Sequence, residues 1–132
     1  MVVVLFVCTG NAARSQMAEG LLRNLKSEFT ILSAGTKPEG LSQKAIIAMK
    51  KIGVDISNQQ SKSITNLNWK EADYAITLCG SANETCVSMS WPTNCTYLHW
   101  PIDDPVSQAD FQFARDDIRN RLSEFLEKEN LL

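Results

Sequence analysis

The segment Val2–Val7 constrains the fold most strongly, because it is continuously apolar and rich in β-branched residues. Such a run is typical of a strand that is covered on both faces of its sheet. Further strands are predicted at Phe29–Leu32, Tyr74–Leu78 and Tyr97–Trp100, and amphipathic helical patterns follow the first, second and fourth strands. Because strands that alternate with helices form parallel sheets, the sequence predicts an α/β fold with helices on both faces.

Length and charge narrow the class of protein. The chain has 132 residues and a net charge of -2, so we expect a single domain over residues 1–132 and no nucleic-acid partner. We find no segment that is long enough to span a membrane and no signal-peptide pattern. We therefore expect a cytoplasmic protein, in which the four cysteines are thiols with a chemical role rather than a disulfide scaffold.

Reactive side chains follow three of the predicted strands. Cys8 comes after the first strand, Cys79 after the third, and Asp103 and Asp104 after the fourth. In parallel sheets, ligands bind beyond the carboxyl ends of the strands. These positions therefore predict one reactive site at this edge of the sheet.

The loop between the first strand and the first helix has the composition of an anion site. Inward-facing backbone N–H groups and a helix N-terminus favour a tetrahedral oxyanion, and Arg14 can grip two of its oxygens. Gly10 and Asn11 tolerate the left-handed backbone that such a loop requires. Cys8 would be a thiolate nucleophile at the base of the loop, and Ser15 would either hydrogen-bond to it or cap the helix. We predict that the oxyanion is bound by Thr9, Gly10, Asn11, Ala12, Ala13, Arg14 and Ser15.

The stretch from Cys8 to Ser15 resembles the anion loop of the low-molecular-weight protein tyrosine phosphatases. Its continuation to Gly20 is more similar to the thioredoxin-coupled arsenate reductases, which share that phosphatase fold. The similarity covers nearly the whole chain and includes Ser33-Ala34-Gly35, Asp55-Ile56-Ser57, Thr77-Leu78-Cys79 and Asp103-Asp104-Pro105. It implies a single-domain three-layer sandwich, low-molecular-weight phosphatase-like, with a four-stranded parallel sheet of order 2-1-3-4.

The resemblance also implies a reaction. Cys8 attacks arsenate, Asp104 is the general acid, Cys79 and Cys86 resolve the intermediates in turn, and thioredoxin restores the thiols. We expect the protein to be a monomer that functions in arsenic detoxification.

If residues 79–86 are helical when reduced, they must unwind before Cys79 and Cys86 can join, because seven residues of helix span about 10.5 Å and a disulfide needs Cα atoms within about 7 Å.

Two other functions remain open from the sequence. A phosphatase would use Cys8, Arg14 and Asp104 and leave Cys79 idle, and weak phosphatase activity is expected even of a reductase. A thiol redox sensor would signal through residues 79–90.

A zinc site would need Cys79, Cys86, Cys95 and His99, whose spacing is not that of ordinary zinc knuckles. We expect His99 to be packed or hydrogen-bonded, Cys95 to be structural, and Asp103 to cap a turn or to orient Arg14.

Some reductases of this type bind potassium beside the anion loop. The matching ligands here are Asn11, Glu19 and Ser33, but Lys62 stands where a further carboxylate is expected. An ammonium group at that place would replace the cation and neutralise Glu19. We therefore expect no potassium site, no metal and no other cofactor.

Overall fold

The computed structural model describes all residues 1–132. Its sheet contains the four parallel strands β1 (Val3–Cys8), β2 (Thr30–Gly35), β3 (Tyr74–Thr77) and β4 (Thr96–His99), in the order β2-β1-β3-β4. The helices are α1 (Arg14–Leu25), α2 (Gln43–Lys50), α3 (Gly80–Cys86) and α4 (Gln108–Lys128), and two short 3₁₀ turns lie at Ile64–Asn66 and Trp69–Glu71. The predicted α/β architecture and strand order are confirmed.

The central strand β1 explains why the chain folds this way. Its residues from Val4 to Cys8 are all buried, and successive side chains of a strand point to opposite faces. Both faces of β1 must therefore be covered, as its unbroken apolar sequence predicts. Helices α1, α2 and α4 pack against one another, and α3 packs on β1 and β3. This arrangement brings the start of α3 to the edge of the sheet where β1 ends.

Helix boundaries follow local capping chemistry. The Ser107 hydroxyl accepts from the Asp110 N–H, while the Asp110 carboxylate accepts from the Ser107 N–H, which forms a capping box at the start of α4. Ser42 caps α2 in the simpler way, through the Ala45 N–H. No helix is both long and apolar enough to cross a membrane.

One strand boundary differs from the prediction, and two further local features appear. Strand β2 extends to Gly35, because Ser33–Gly35 pair with Phe6–Cys8. The polar stretch after Cys79 forms α3, whose N-cap is Cys79 itself. Gly53 lies beyond the C-cap of α2 at Lys51 and takes a φ of 79° where the chain turns back.

Candidate active site

A cup opens at the carboxyl end of β1. It encloses about 280 Å³ and is lined by Cys8, Thr9, Gly10, Ala12, Ala13, Arg14, Glu39 and Asp104. Most of these residues come from the predicted anion loop, and Asp104 comes from the loop after β4. The sheet edge therefore brings together the nucleophile candidate, the guanidinium and the acid candidate that the sequence identified.

The backbone of the anion loop is fixed from outside by the chain that follows β2. Its carbonyl oxygens accept hydrogen bonds of 2.8–3.3 Å from four N–H groups, in the pairs Cys8 with Thr36, Thr9 with Lys37, Gly10 with Glu39, and Ala12 with Ser42. Since these carbonyls bond to the outer segment, they do not compete for the centre of the loop. The N–H groups of the loop are then left to hold an anion.

Asn11 has a left-handed backbone conformation in the loop, with a φ of 45°. The expectation of a left-handed Gly10 is wrong, because Gly10 does not have a positive φ. A Cβ at Gly10 would lie 2.9 Å from a carboxylate oxygen of Glu39, whose exposed side chain can move aside. Glu39 is not among the predicted site residues, although it follows β2, the strand beside β1, where the rule about strand ends also applies.

A buried chain of hydrogen bonds lies behind the cup. The Cys8 Sγ and the Ser15 Oγ are 2.9 Å apart, and Asn11 Nδ2 donates to Ser15 Oγ at 2.7 Å and to Ser33 Oγ at 3.0 Å. Ser15 is thus the thiol's partner and not the helix cap, since α1 begins at Arg14 without a side-chain cap. The side chains of Asn11 and Ser15 are buried and do not line the cup, so their predicted contact with an oxyanion would be made by their backbone N–H groups.

Arg14 is held at the wall of the cup. Its Nη1 donates to the Ile102 carbonyl at 2.9 Å, and its Nη2 lies 3.5 Å from Asp104 Oδ1. The Asp104 side chain is 82% exposed, so this pair is an open contact that an incoming anion can rearrange. Asp103 makes no contact with Arg14; the carboxylate that faces the guanidinium is that of Asp104.

The second cysteine lies against the anion loop. Cys79 Sγ is 3.1 Å from Thr9 Oγ1, in the residue next to Cys8, and accepts from the Ala82 N–H as the cap of α3. Cys86 ends the same helix and is fully buried. Burial, with a smaller contribution from Cys79, raises the pKa of the Cys86 thiol to about 11. The third cysteine is therefore a protonated thiol while α3 is intact.

Cys95 and His99 lie apart from this group of thiols. His99 Nδ1 is 2.9 Å from Thr77 Oγ1, so the expectation of a hydrogen-bonded histidine is confirmed. The structure does not bring His99 and the three cysteines of the zinc alternative into a cluster that could hold a metal ion.

The residues of the potassium alternative do meet, and their polar atoms are bonded to one another and to neighbouring side chains. Asn11 turns its amide nitrogen toward Ser15 and Ser33, while its Oδ1 accepts from the Lys62 N–H. Glu19 Oε1 accepts from Ser33 Oγ and lies 3.9 Å from Lys62 Nζ, while Glu19 Oε2 accepts from Arg23 Nη2. Burial lowers the pKa of Lys62, and the attraction of Glu19 opposes that shift. The cationic side chains of Arg23 and Lys62 thus already lie beside Glu19, which carries the only carboxylate among these residues.

Fold and site together define a class of protein. A family model for low molecular weight phosphotyrosine protein phosphatase matches residues 3–131, and the chain belongs to that family. The chain is 42% identical over 125 residues to an arsenate reductase of Staphylococcus aureus, with 92% of this chain and 94% of the relative covered. It is also 42% identical over 134 residues to an arsenate reductase of Bacillus subtilis, with 95% of each chain covered.

Solved structures show the same two branches of the family. An arsenate reductase in the phosphate binding state superimposes with a TM-score of 0.81 at 32% identity, covering 97% of this chain and 98% of the other. A thioredoxin-dependent arsenate reductase of Corynebacterium glutamicum gives 0.82 at 28% identity, covering 99% of this chain and 63% of the other. A low molecular weight protein tyrosine phosphatase from T. tengcongensis gives 0.86 at 25% identity, covering 97% and 99%. The resemblance drawn from the sequence is confirmed.

Proposed function

We propose that this chain is an arsenate reductase that passes electrons along three thiols and takes them from thioredoxin. The observation that carries the proposal is the position of Cys79, whose sulfur lies 3.1 Å from Thr9 at the wall of the anion cup. A phosphatase needs only Cys8, because water completes its cycle. Reduction needs two electrons, which a second thiol beside the cup supplies by forming a disulfide.

In the first step the cup binds arsenate through the N–H groups of the loop and the fork of Arg14. The Cys8 thiolate forms a bond to arsenic, and one arsenic–oxygen bond breaks. The leaving oxygen takes a proton from Asp104 and departs as water, as general acid catalysis requires. The hydroxyl of Ser15, 2.9 Å from the sulfur, stabilises the thiolate before the attack.

In the second step the Cys79 thiolate attacks the sulfur of Cys8. A Cys8–Cys79 disulfide forms, the sulfur–arsenic bond breaks, and its electron pair stays on arsenic, which leaves as arsenite. In the third step Cys86 attacks Cys79, which creates a Cys79–Cys86 disulfide and releases Cys8 as a thiolate. A dithiol partner, for which thioredoxin is the proposed protein, then reduces this disulfide and is itself oxidised.

The third step requires α3 to open. Cys79 is the N-cap and Cys86 the last residue, so the intact helix keeps them about 10.5 Å apart along its axis. A disulfide needs Cα atoms within about 7 Å. We predict that residues 79–90 lose helical structure on oxidation and present the disulfide at the surface. Hydrogen exchange on both forms tests this; equal protection of these residues in both would contradict it.

The deciding experiment measures NADPH oxidation with arsenate, thioredoxin and thioredoxin reductase, beside a glutathione and glutaredoxin system. We expect turnover with thioredoxin, and its loss in Cys79→Ser and in Cys86→Ser. Cys95→Ser is the matched control, because Cys95 lies outside the relay, and it should keep turnover. Turnover that survives in Cys79→Ser would contradict the relay.

A weak phosphatase activity is the second candidate, because Cys8, Arg14 and Asp104 line the cup independently of Cys79. Phosphate esters and arsenate both present a tetrahedral oxyanion to the loop. We expect slow hydrolysis of an aryl phosphate that Cys8→Ser abolishes and Cys79→Ser retains. Loss of hydrolysis in both variants would contradict an independent phosphatase site.

We also propose that the enzyme works without potassium, as a cytoplasmic monomer. The pairing of Glu19 with Arg23 and Lys62 supports the first point, since these cations occupy the place of a metal ion. Thermal stability and turnover should not change when sodium replaces potassium at equal ionic strength, and a clear rise with potassium would contradict this. Light scattering of the reduced protein tests the monomer.

A further inference from the structure

Trp91 binds the end of α3 that carries Cys86 through a hydrogen bond, which we call the clasp. Trp91 Nε1 donates to the Cys86 carbonyl at 2.8 Å, and the Met89 N–H donates to the same oxygen at 3.0 Å. The last carbonyls of a helix have no partner within the helix, so an indole N–H at this place stabilises the helix end. Trp91 is itself half-buried among the residues that follow α3.

The ring of Trp91 is held between two aromatic neighbours. Its centroid is 4.8 Å from that of Trp69, in an edge-to-face arrangement, and 5.8 Å from that of Tyr97 on β4. Aromatic pairs at these distances are favourable beyond the area that they bury. The clasp on Cys86 is therefore anchored to the rigid part of the molecule and does not move freely with α3.

Tyr97 holds the middle of the same helix. Its hydroxyl donates to Asn83 Oδ1 at 2.7 Å, and the Thr77 hydroxyl donates to that oxygen at 3.3 Å. Trp91 and Tyr97 thus bind successive turns of α3 from one aromatic cluster. By contrast, nothing within 4 Å would meet a Cβ at Gly80, where the helix starts. The helix is held at its middle by Tyr97 and at its end by Trp91, whereas its first residue faces open space.

We propose that Trp91, assisted by Tyr97, is a positioning residue that holds Cys86 in the reduced helix and sets how readily the Cys79–Cys86 disulfide forms. The proposal rests on the proposed relay. The clasp binds a helix that cannot accommodate that disulfide, so Trp91 stabilises the dithiol and must let go of Cys86 during the third step. In that exchange Cys86 loses its proton to solvent, its sulfur bonds to Cys79, and the Cys8–Cys79 bond breaks to return Cys8 as a thiolate.

The effect of removing the clasp on the dithiol–disulfide equilibrium has a defined direction, because the clasp exists only in the dithiol form. Trp91→Phe keeps an aromatic ring between Trp69 and Tyr97 and removes the indole N–H together with the second ring of the indole. Loss of one hydrogen bond that exists only in the dithiol form should shift the dithiol–disulfide equilibrium roughly fivefold toward the disulfide. A fivefold shift makes the midpoint potential of the pair about 20 mV more negative. Tyr97→Phe, which removes the hydroxyl bonded to Asn83, should act in the same direction.

The test uses the full chain in a Cys8→Ser, Cys95→Ser background, so that only Cys79 and Cys86 can pair. The pair is equilibrated with glutathione buffers, and the disulfide is mapped by mass spectrometry. Trp100→Phe is the control, because Trp100 packs on Phe6 and Phe125 and has no bond to α3. Trp91→Phe and Tyr97→Phe should each shift the equilibrium toward the disulfide, and Trp100→Phe should change it less than about twofold.

A spectroscopic measurement keeps Trp91 in place. The chain has three tryptophans, so Trp69→Phe with Trp100→Phe leaves Trp91 as the only one. Its emission should shift to longer wavelength when the Cys79–Cys86 disulfide forms, because the indole N–H exchanges the Cys86 carbonyl for water. An unchanged equilibrium in Trp91→Phe, or unchanged emission in a protein whose disulfide has been mapped, would overturn the role of Trp91 alone. Failure of that disulfide to form at all would overturn the relay, and this proposal with it.

Discussion

Gly35→Ala tests the view that the anion cup is shaped from its outer side. Gly35 ends β2 and pairs with Cys8 across the sheet. A Cβ at this position would lie 2.6 Å from the Thr9 carbonyl oxygen, 2.9 Å from the Asn11 nitrogen and 3.0 Å from the Asn11 Cβ. Two of these three are backbone atoms of the loop, so rotation of a side chain cannot relieve the overlap. The loop itself must move.

The size of the effect can be worked from those contacts. An ordinary contact to a Cβ is near 3.4 Å or more, so the overlap at Thr9 requires a movement of roughly 0.5 to 1 Å, and overpacking of this kind costs about 1–3 kcal/mol. Misplacement by about 1 Å in a site that depends on oriented groups can cost about 100-fold. We expect phosphate affinity and arsenate turnover to fall by about 10- to 100-fold, and the free energy of unfolding to fall by about 1–2 kcal/mol.

Gly53→Ala is the matched control. Gly53 has a φ of 79°, and nothing within 4 Å would meet a Cβ there, so alanine is strained by its backbone alone. The cost is of order 1 kcal/mol, at a position remote from the cup. Calorimetric titration with phosphate and guanidinium unfolding in excess dithiothreitol measure the two quantities. If a folded Gly35→Ala protein bound phosphate as tightly as Gly53→Ala did, the close approach of Gly35 would not shape the cup.

Three further outcomes follow from the same contacts. Burial raises the pKa of Cys86 from 9.0 to about 11, so its contribution to stability is fully present below about pH 9 and is lost as pH rises toward 11. The free energy of unfolding of the unmodified chain should therefore fall relative to that of Cys86→Ala, by on the order of 1 to 2 kcal/mol between about pH 8 and 11, and parallel curves would contradict this. Arg14→Lys removes the planar fork and the bond to Ile102, so phosphate affinity should fall about tenfold or more while the fold persists; unchanged affinity in calorimetry would count against a bidentate grip. Ser42→Ala removes the cap on the Ala45 N–H and should lower the unfolding free energy by about 1 kcal/mol with little change in arsenate turnover, whereas a loss of turnover would point to a role in holding the loop.

Local sequence patterns were sufficient to predict the parallel sheet and the helices that cover it. The apolar run before Cys8 had to be a strand covered on both sides, and the helical stripes between the strands required parallel pairing. The rule that ligands bind at the carboxyl ends of strands then placed Cys8, Cys79 and Asp104 at one edge, and the structure brings all three to the anion loop or the wall of its cup.

Contacts between segments that lie far apart in sequence could not be predicted from local patterns. Ser15 could cap a helix or bond to a thiol, and only its 2.9 Å approach to Cys8 decides between the two. Glu39 reaches the cup because its segment is bonded to the anion loop, and Trp91 reaches Cys86 because Trp69 and Tyr97 hold its ring. These choices depend on which chains meet after folding.

The amino-acid sequence by itself determined the parallel α/β sheet and the anion loop, because strand burial and loop chemistry are local properties of the chain, whereas the relay proposed for Cys8, Cys79 and Cys86 came from the resemblance to the arsenate reductases. Tertiary structure alone decided which hydroxyl faces the Cys8 thiol, which cations surround Glu19, and what holds α3 closed. Each of these depends on side chains that approach within about 3 to 4 Å from residues far apart in sequence, and no local periodicity encodes such an approach.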